Sequence, residues 1–484
     1  MGYYLLRLNI ISIKLMLNWY SKTTFWLNIF VFVTAIVGIL WTGEELWAFL
    51  PLAACISFLG LTNYQWVYAT VILSIPLSVD RLMLDETVSL SLPSEPILVL
   101  LMLMIFVKFV LNPQVDRALW LHPITHWIVW GWIWTLICTV FSTHVLVSLK
   151  ATIMKTWTIT VFFFATYYVL KKWRNVPNIW LLYITPLIFV VIYALVRHLE
   201  RGLTFYWSSF VMSPFYKNHV NYGAAVAAVL PFILVSIFSR SWVRWVSLIV
   251  FLLFFTAILF TYTRATYIAI LFLPTTILAY YLRIVRLSVL AVLIGTLLLT
   301  VYLLYDNNYL MFAHGDKYTE WHKNSFEKQI SATAKLKDVS SVERLYRWIA
   351  AYNMIVERPV TGFGAGTFIF EYKGYTNAFF RTEVSANIEN SGLHSQFIGA
   401  FVEGGILGGI LFIGLVVSAL FHSQRIFVQV SKKERKWILA TGSSFVILLM
   451  HLLINDLLEV DEIGSLFYIN LSVLVYLDIH KGNV

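Results

Sequence analysis

Three cations stand where an apolar chain has little ordinary use for charge: Arg264 in TYTRATY, Arg344 in SSVERLYRW and His394 in NSGLHSQF. Arginine binds phosphate oxygens through a planar, bidentate fork, so two such groups at one surface suit a diphosphate. A histidine beside them, with an ordinary pKa of about 6.5, suits proton transfer to or from a hydroxyl. Each residue also has a plainer use. Arg264 opens an apolar run and can snorkel to the interface. Arg344 can sit on a solvated helix face, and His394 can bond to backbone at a helix start.

Four further residues belong with these. Lys150 in FSTHVLVSLK can meet a lipid phosphate, or anchor its span at the interface. His219 in YKNHVNYG stands at the outer end of another span. Arg347 shares one side of a helix with Arg344 and Trp348, at three- and four-residue spacing. Glu403 lies inside an apolar run; it can accept a proton, but an intramembrane carboxylate needs partners, which favours a buried hydrogen-bond network. Around it, GGILGG (404–409) permits close helix packing within a pattern that is helical throughout. The acidic stretch NDLLEVDE (455–462) has no diagnostic ligand spacing and reads as a solvated loop. With no Asp-x-Asp doublet, no Gly-Lys-Ser/Thr phosphate loop and no Gly-x-Ser-x-Gly elbow, neither metal nor cofactor is expected.

The elements that must position these residues are membrane spans. Of 484 residues 60% are hydrophobic and only 12% charged, with mean hydropathy +0.77; soluble domains carry about 25% charged residues. The aromatic share of 17% fits interfacial Trp and Tyr belts. The net charge of +10 falls in short loops, as the positive-inside rule requires, and is not read as a nucleic-acid surface. The two cysteines, Cys55 and Cys138, lie in apolar runs and can build neither a disulfide framework nor a zinc site.

A span needs about 20 apolar residues. Apolar runs occur near 25–41, 46–61, 64–79, 96–112, 125–141, 151–170, 179–197, 220–239, 242–261, 264–282, 285–304, 395–421, 436–454 and 463–479. The chain therefore reads as an all-α, polytopic membrane protein with about 12–14 transmembrane helices and one long external loop. Four parts follow: an interfacial segment 1–24, a membrane domain 25–304, a loop 305–393 and C-terminal helices 394–484. The segments KKWRN, SRSWVRW, LRIVR and SKKERK should be cytoplasmic, and alternation through the spans puts all four on one side. The loop then faces the other side, in a bacterium the periplasm. Within it, Val342, Leu345, Trp348, Ile349, Tyr352 and Ile355 recur with helical spacing and imply an amphipathic helix over 341–357. Ser340 and Glu343 suit a capping box, and Pro359 followed by TGFGAGTF implies a glycine-rich turn.

Taken in order, these motifs resemble the O-antigen ligase and polymerase superfamily of bacterial envelope enzymes. The family pattern is a span opening with Ser/Thr-Arg, a long periplasmic loop with Arg-x-x-x-Trp and Pro-x-x-Gly-x-Gly, then His-Asn/Ser/Gln, nine residues and Gly-x-x-Gly. Here it reads Thr263-Arg264; Arg344 and Trp348; Pro359, Gly362 and Gly364; His394-Ser395, nine residues, Gly405 and Gly408. SLPSEP, FSTHVLVSLK and MSPFYKNHVNYGAA look like the Bacteroidetes-type branch. The opening pair is Thr-Arg where Ser-Arg is commoner. Few residues follow the last span, whereas many related protein O-oligosaccharyltransferases carry a further C-terminal domain.

The resemblance implies a C-type glycosyltransferase-like fold and a metal-independent, inverting enzyme in the bacterial inner membrane, its site facing the periplasm. The implied partners are an undecaprenyl-diphosphate-linked glycan as donor, a lipid A–core hydroxyl as acceptor, and the bilayer. By position, Arg264 and Arg344, with Lys150, would hold the diphosphate and His394 would serve the acceptor. His219, Arg347 and Glu403 would support them from behind. Rival readings are a polysaccharide polymerase, a protein O-oligosaccharyltransferase and a lipid-linked-glycan flippase. A flippase should show pseudo-symmetric halves, and no internal repeat is visible.

Overall fold

The computed structural model describes residues 64–481, apart from 84–87, 112, 114, 240, 313–338 and 377–391. The expected spans at 25–41 and 46–61, the interfacial segment and Cys55 lie outside the described residues. The chain divides into two units. In the first, helix α1 (Ser94–Leu111) accompanies the described helical residues 64–71, and the Lys108 ammonium sits 4.2 Å from the Tyr64 ring centroid.

The second unit opens with an antiparallel hairpin, β1 (Val79–Met83) and β2 (Val88–Leu92), pairing Val79 with Leu92 and Met83 with Val88. This hairpin was not anticipated; it begins where the apolar run expected at 64–79 ends. The helices of the unit are α2 (Pro123–Val140), α3 (Val145–Trp173), α4 (Val176–Glu200), α5 (His219–Ile237), α6 (Val243–Leu259), α7 (Arg264–Tyr281) and α8 (Val285–Leu304). After the loop come α9 (Val339–Glu357), α10 (Gln396–Gln429), α11 (Lys432–Ile454) and α12 (Asp461–Ile479).

Among the described residues nine helices are long and apolar enough to cross a membrane, α6 being a shorter apolar one. With 81% of the structure helical, the chain is an all-α, polytopic membrane protein. Helices dominate because lipid offers backbone groups no partner, so each span must satisfy its own hydrogen bonds.

Burial orders the bundle. α12 has 83% of its apolar window inside the protein and α8 has none, so α12 is the central post and α8 turns its whole apolar surface outward. α5, α10 and α11 pack against α12, as does the π-helical stretch Ile159–Ala165 inside α3. Local signals fix the ends. His122 and Pro123 start α2, the Asn218 carboxamide accepts from Val220 N–H and Asn221 N–H at α5, and Ser431 with Glu434 forms a capping box at α11.

Two local expectations fail. Ser340 lies inside α9, not at its cap, and its hydroxyl accepts from Arg344 Nη1 at 2.8 Å. The pattern at 404–409 is not helical throughout, because α10 breaks at Gly405 (φ 66°, ψ −170°). A β-carbon there would meet the Val360 and Pro359 carbonyl oxygens. The Gly405 break exists so that the loop backbone can reach α10.

Candidate active site

α9 buries Val342, Tyr346, Ile349, Ala350, Ala351 and Met354; of the expected stripe Val342 and Ile349 are buried, Leu345, Trp348 and Ile355 are partly buried and Tyr352 is exposed, so the buried face is turned from the expected one. Ala351 and Met354 join Phe363, Phe368, Leu393 and Val402 in one apolar cluster, which seats the loop helix on the start of α10. The glycine-rich turn then knits to the broken helix backbone to backbone. Phe363 N–H donates to the Val402 carbonyl at 3.0 Å, Gly364 N–H to the Glu403 carbonyl at 3.0 Å, and Ile406 N–H to the Pro359 carbonyl at 2.8 Å. Gly362 (φ 64°) has no room for a β-carbon, since Val402 O would lie 2.5 Å from it. From the other side, Thr143 N–H and the Ser142 hydroxyl donate to the Phe363 carbonyl, each at 3.1 Å. The Ser148 hydroxyl donates to Ala365 O at 2.9 Å. The turn is thus clamped between the α2–α3 junction and α10.

Glu403 is part of this clamp. Its Oε1 accepts from Gly366 N–H at 2.9 Å, the buried hydrogen-bond role expected of it.

Arg347 is buried, 4% exposed. Its Nη1 donates to the Gly392 carbonyl at 2.6 Å, its Nη2 lies 3.4 Å from Glu343 Oε1, and its guanidinium sits 5.5 Å from the Tyr372 ring centroid. It ties α9 to the segment that delivers the histidine. Arg344, one turn away, is half-buried.

His394 precedes the helix rather than capping it; Ser395 is the N-cap of α10. The histidine holds a left-handed backbone (φ 58°). The Asp456 carboxylate lies against this segment, its Oδ1 4.0 Å from His394 Nδ1. At Gly392 a β-carbon would overlap this carboxylate. Gln396 Oε1 fixes the same acidic segment by accepting from Leu458 N–H at 3.2 Å. The stretch 455–462 is therefore not a solvated loop; it supports the histidine. Burial, then the charges of Arg344 and Arg347, push His394 down to about 3. Burial raises Asp456 above the usual carboxylate range.

The structure brings Arg344, Arg347, His394 and Asp456 together. Arg264 opens α7, where its charge acts on His219. His219 Nδ1 lies 3.1 Å from the Ser209 hydroxyl, and the Thr263 hydroxyl donates to the His219 carbonyl at 3.3 Å. Lys150 is exposed on the first turns of α3, apart from the ion pair of His144 with Glu371 at 3.2 Å. Asp456 went unread because nothing local marks it; only its distance to His394 does.

Among the described residues one group has metal-compatible spacing, His122, His422 and Asp478, at the opposite end of the bundle. His122 Nδ1 accepts from Ile124 N–H, so its Nε2 carries the proton and donates to Asp478 at 3.2 Å. Lys481 Nζ bonds the other carboxylate oxygen at 2.5 Å. The cluster is a satisfied ion-pair network, since a metal at Nε2 would displace that proton.

A multi-pass helical membrane protein with a cation–histidine–carboxylate group at the root of a long loop defines the class. Residues 249–413 match the family model described as O-Antigen ligase. The match begins within α6, ends within α10, and encloses Arg264, Arg344, the glycine turn and His394. No curated protein matches the chain.

Proposed function

We propose that the chain is a metal-independent, inverting glycosyltransferase of the bacterial inner membrane. It moves a glycan from undecaprenyl diphosphate to a hydroxyl at the periplasmic face, with lipid A–core as the preferred acceptor. The observation that carries this reading is His394 at the head of α10, with the Asp456 carboxylate 4.0 Å from its Nδ1 and the charges of Arg344 and Arg347 acting on it. A neutral imidazole is the form that can take a proton.

The reaction needs one displacement. The acceptor oxygen bonds to the anomeric carbon, and its proton passes to Nε2 of His394. The bond from that carbon to the phosphate oxygen breaks, and undecaprenyl diphosphate leaves with the electron pair. Arg344, with Arg264 and Lys150 as further donor contacts, meets the charge developing on the leaving oxygen, an electrostatic role that often dominates catalysis. Asp456 steadies the imidazole and balances the imidazolium that forms. Arg347 and Glu403 hold the loop in place, and His219 backs Arg264. Diphosphate is already a good leaving group, so chelation with EDTA should leave transfer intact.

The test is transfer and donor binding on one purified His394→Asn protein. Asn tolerates the left-handed backbone and keeps the fold. General-base removal typically costs about 10²–10⁴-fold in rate, while donor binding should persist. Normal transfer would return His394 to a structural role. Complementation of strains lacking ligase, polymerase or oligosaccharyltransferase, read on glycan gels, separates the acceptors.

A further inference from the structure

α3 carries a lysine that the proposed reaction does not use. Lys155 lies about 15 Å along the helix from its start, at 1.5 Å per residue. It faces a cavity of about 130 Å³ walled by α2, α3, α10 and residues 458–459, large enough for several waters. The inner end is apolar, with Trp127, Ile128, Phe412 and Leu415; the end toward the loop presents Thr135, Lys155, Gln396, Glu403 and Glu459. Ionisable groups at this depth are costly and need partners.

Lys155 Nζ donates to the Thr135 hydroxyl at 2.8 Å. It interacts electrostatically with Glu403 and Glu459, which share the cavity. Glu403 in turn holds Gly366 N–H through Oε1. Ala365, the preceding residue of the turn, lines the same cavity. The cavity wall at Thr158 and Ile159 is also where α3 changes to π-helix, a widening often found at functional sites. Two carboxyls, Glu403 and Glu459, share the cavity with this one ammonium, and like charges that close favour one shared proton, which leaves one anion for the cation.

We propose that Lys155 is a positioning residue: across the cavity its ammonium balances the Glu403 carboxylate, and that balance keeps the glycine turn docked and α9 in register with His394. The effect on transfer rests on the function proposed above; the docking of the turn does not. Charge balance has a distinctive signature. Removing one partner leaves an uncompensated buried charge, whereas removing both restores neutrality.

The experiment compares Lys155→Met, Glu403→Gln and the double variant, with Cys55 and Cys138 replaced by Ser and a reporter cysteine at Ala365. Gln retains a carbonyl oxygen for Gly366 N–H. Membrane-impermeant maleimide labelling reads the docking of the turn, and transfer is measured on the same proteins. The reporter should be protected in the parent, labelled at least tenfold faster in each single variant, and protected again in the double. Transfer kcat should fall at least tenfold in Lys155→Met and return to within about threefold in the double, with donor KM unchanged. A protected reporter in Lys155→Met, or a double variant no better than the single, overturns the proposal. The expected labelling pattern in a parent that transfers no glycan would support the lock and fail the function reading instead.

Discussion

Arg344 and Arg347 sit one helical turn apart and do different work. Arg347 is spent on Gly392 and Glu343 inside the protein, whereas Arg344 is half-buried and is the one we propose for the diphosphate. Replacing Arg344 with Ala should remove a charge-assisted contact worth about 1.5–3 kcal/mol, roughly 10- to 100-fold in rate. Arg344→Lys should recover little, because a point charge cannot make the bidentate fork. Initial rates on equal amounts of folded protein decide this, and full activity in Arg344→Lys would sink the fork. Arg347→Ala should instead lower thermal stability, because it strands the buried Glu343 carboxylate. His394 sets the pH behaviour. With its folded value held down at about 3, it stays neutral across the physiological range. The kcat/KM of the free enzyme should therefore be flat between about pH 7 and about pH 5, with no limb at the ordinary histidine value of about 6.5. The linkage sign follows. The folded imidazole resists protonation more than the unfolded one, so its stability contribution is full above about pH 6.5 and fades as pH falls toward 3. A histidine-like limb in the kcat/KM profile would contradict the action of the two arginine charges on His394.

At the scale of elements, the decisive feature is that α10 is two helices joined at Gly405. The break lets Ile406 N–H reach the Pro359 carbonyl, and so couples the loop to the membrane helices. Gly405→Ala should cost about 1–3 kcal/mol from its backbone region alone, with more from overlap with Val360 O, at 2.1 Å from the added carbon. Gly404→Ala is the control, since its β-carbon would find only ordinary contacts with Trp134 at 3.7 Å. Thermal unfolding in detergent should separate the two; equal behaviour would mean that the turn does not dock on α10.

At the scale of the whole molecule, the prediction concerns orientation in the membrane. Charge bias and span alternation lead us to expect KKWRN, SRSWVRW, LRIVR and SKKERK on the cytoplasmic side and the loop on the other. Single cysteines placed in the loop should react with an impermeant reagent added to spheroplasts, and those at 431–436 should react only after permeabilisation. Reversed labelling would move the histidine away from a periplasmic donor.

The spans were legible in the sequence because they are local: lipid forces each helix to satisfy its own backbone, so apolar length alone marks it. The expected runs from 96–112 onward correspond to α1–α8 and α10–α12, and the helical spacing of Val342, Leu345, Trp348, Ile349, Tyr352 and Ile355 located α9, though not its buried face. Arg344 and His394 were legible through motif spacing. What the sequence could not carry is whatever depends on distant residues meeting. Asp456 reads as one acid among several until its carboxylate is seen beside Gly392 and His394. Gly405 reads as a helix-packing glycine until the Pro359–Val360 backbone is seen against it. Lys155 reads as one more residue of an apolar span until Glu403 and Glu459 are seen across the cavity. Each of these contacts joins segments far apart in the chain, and no local periodicity records them; packing alone decides which polar groups inside the membrane find each other.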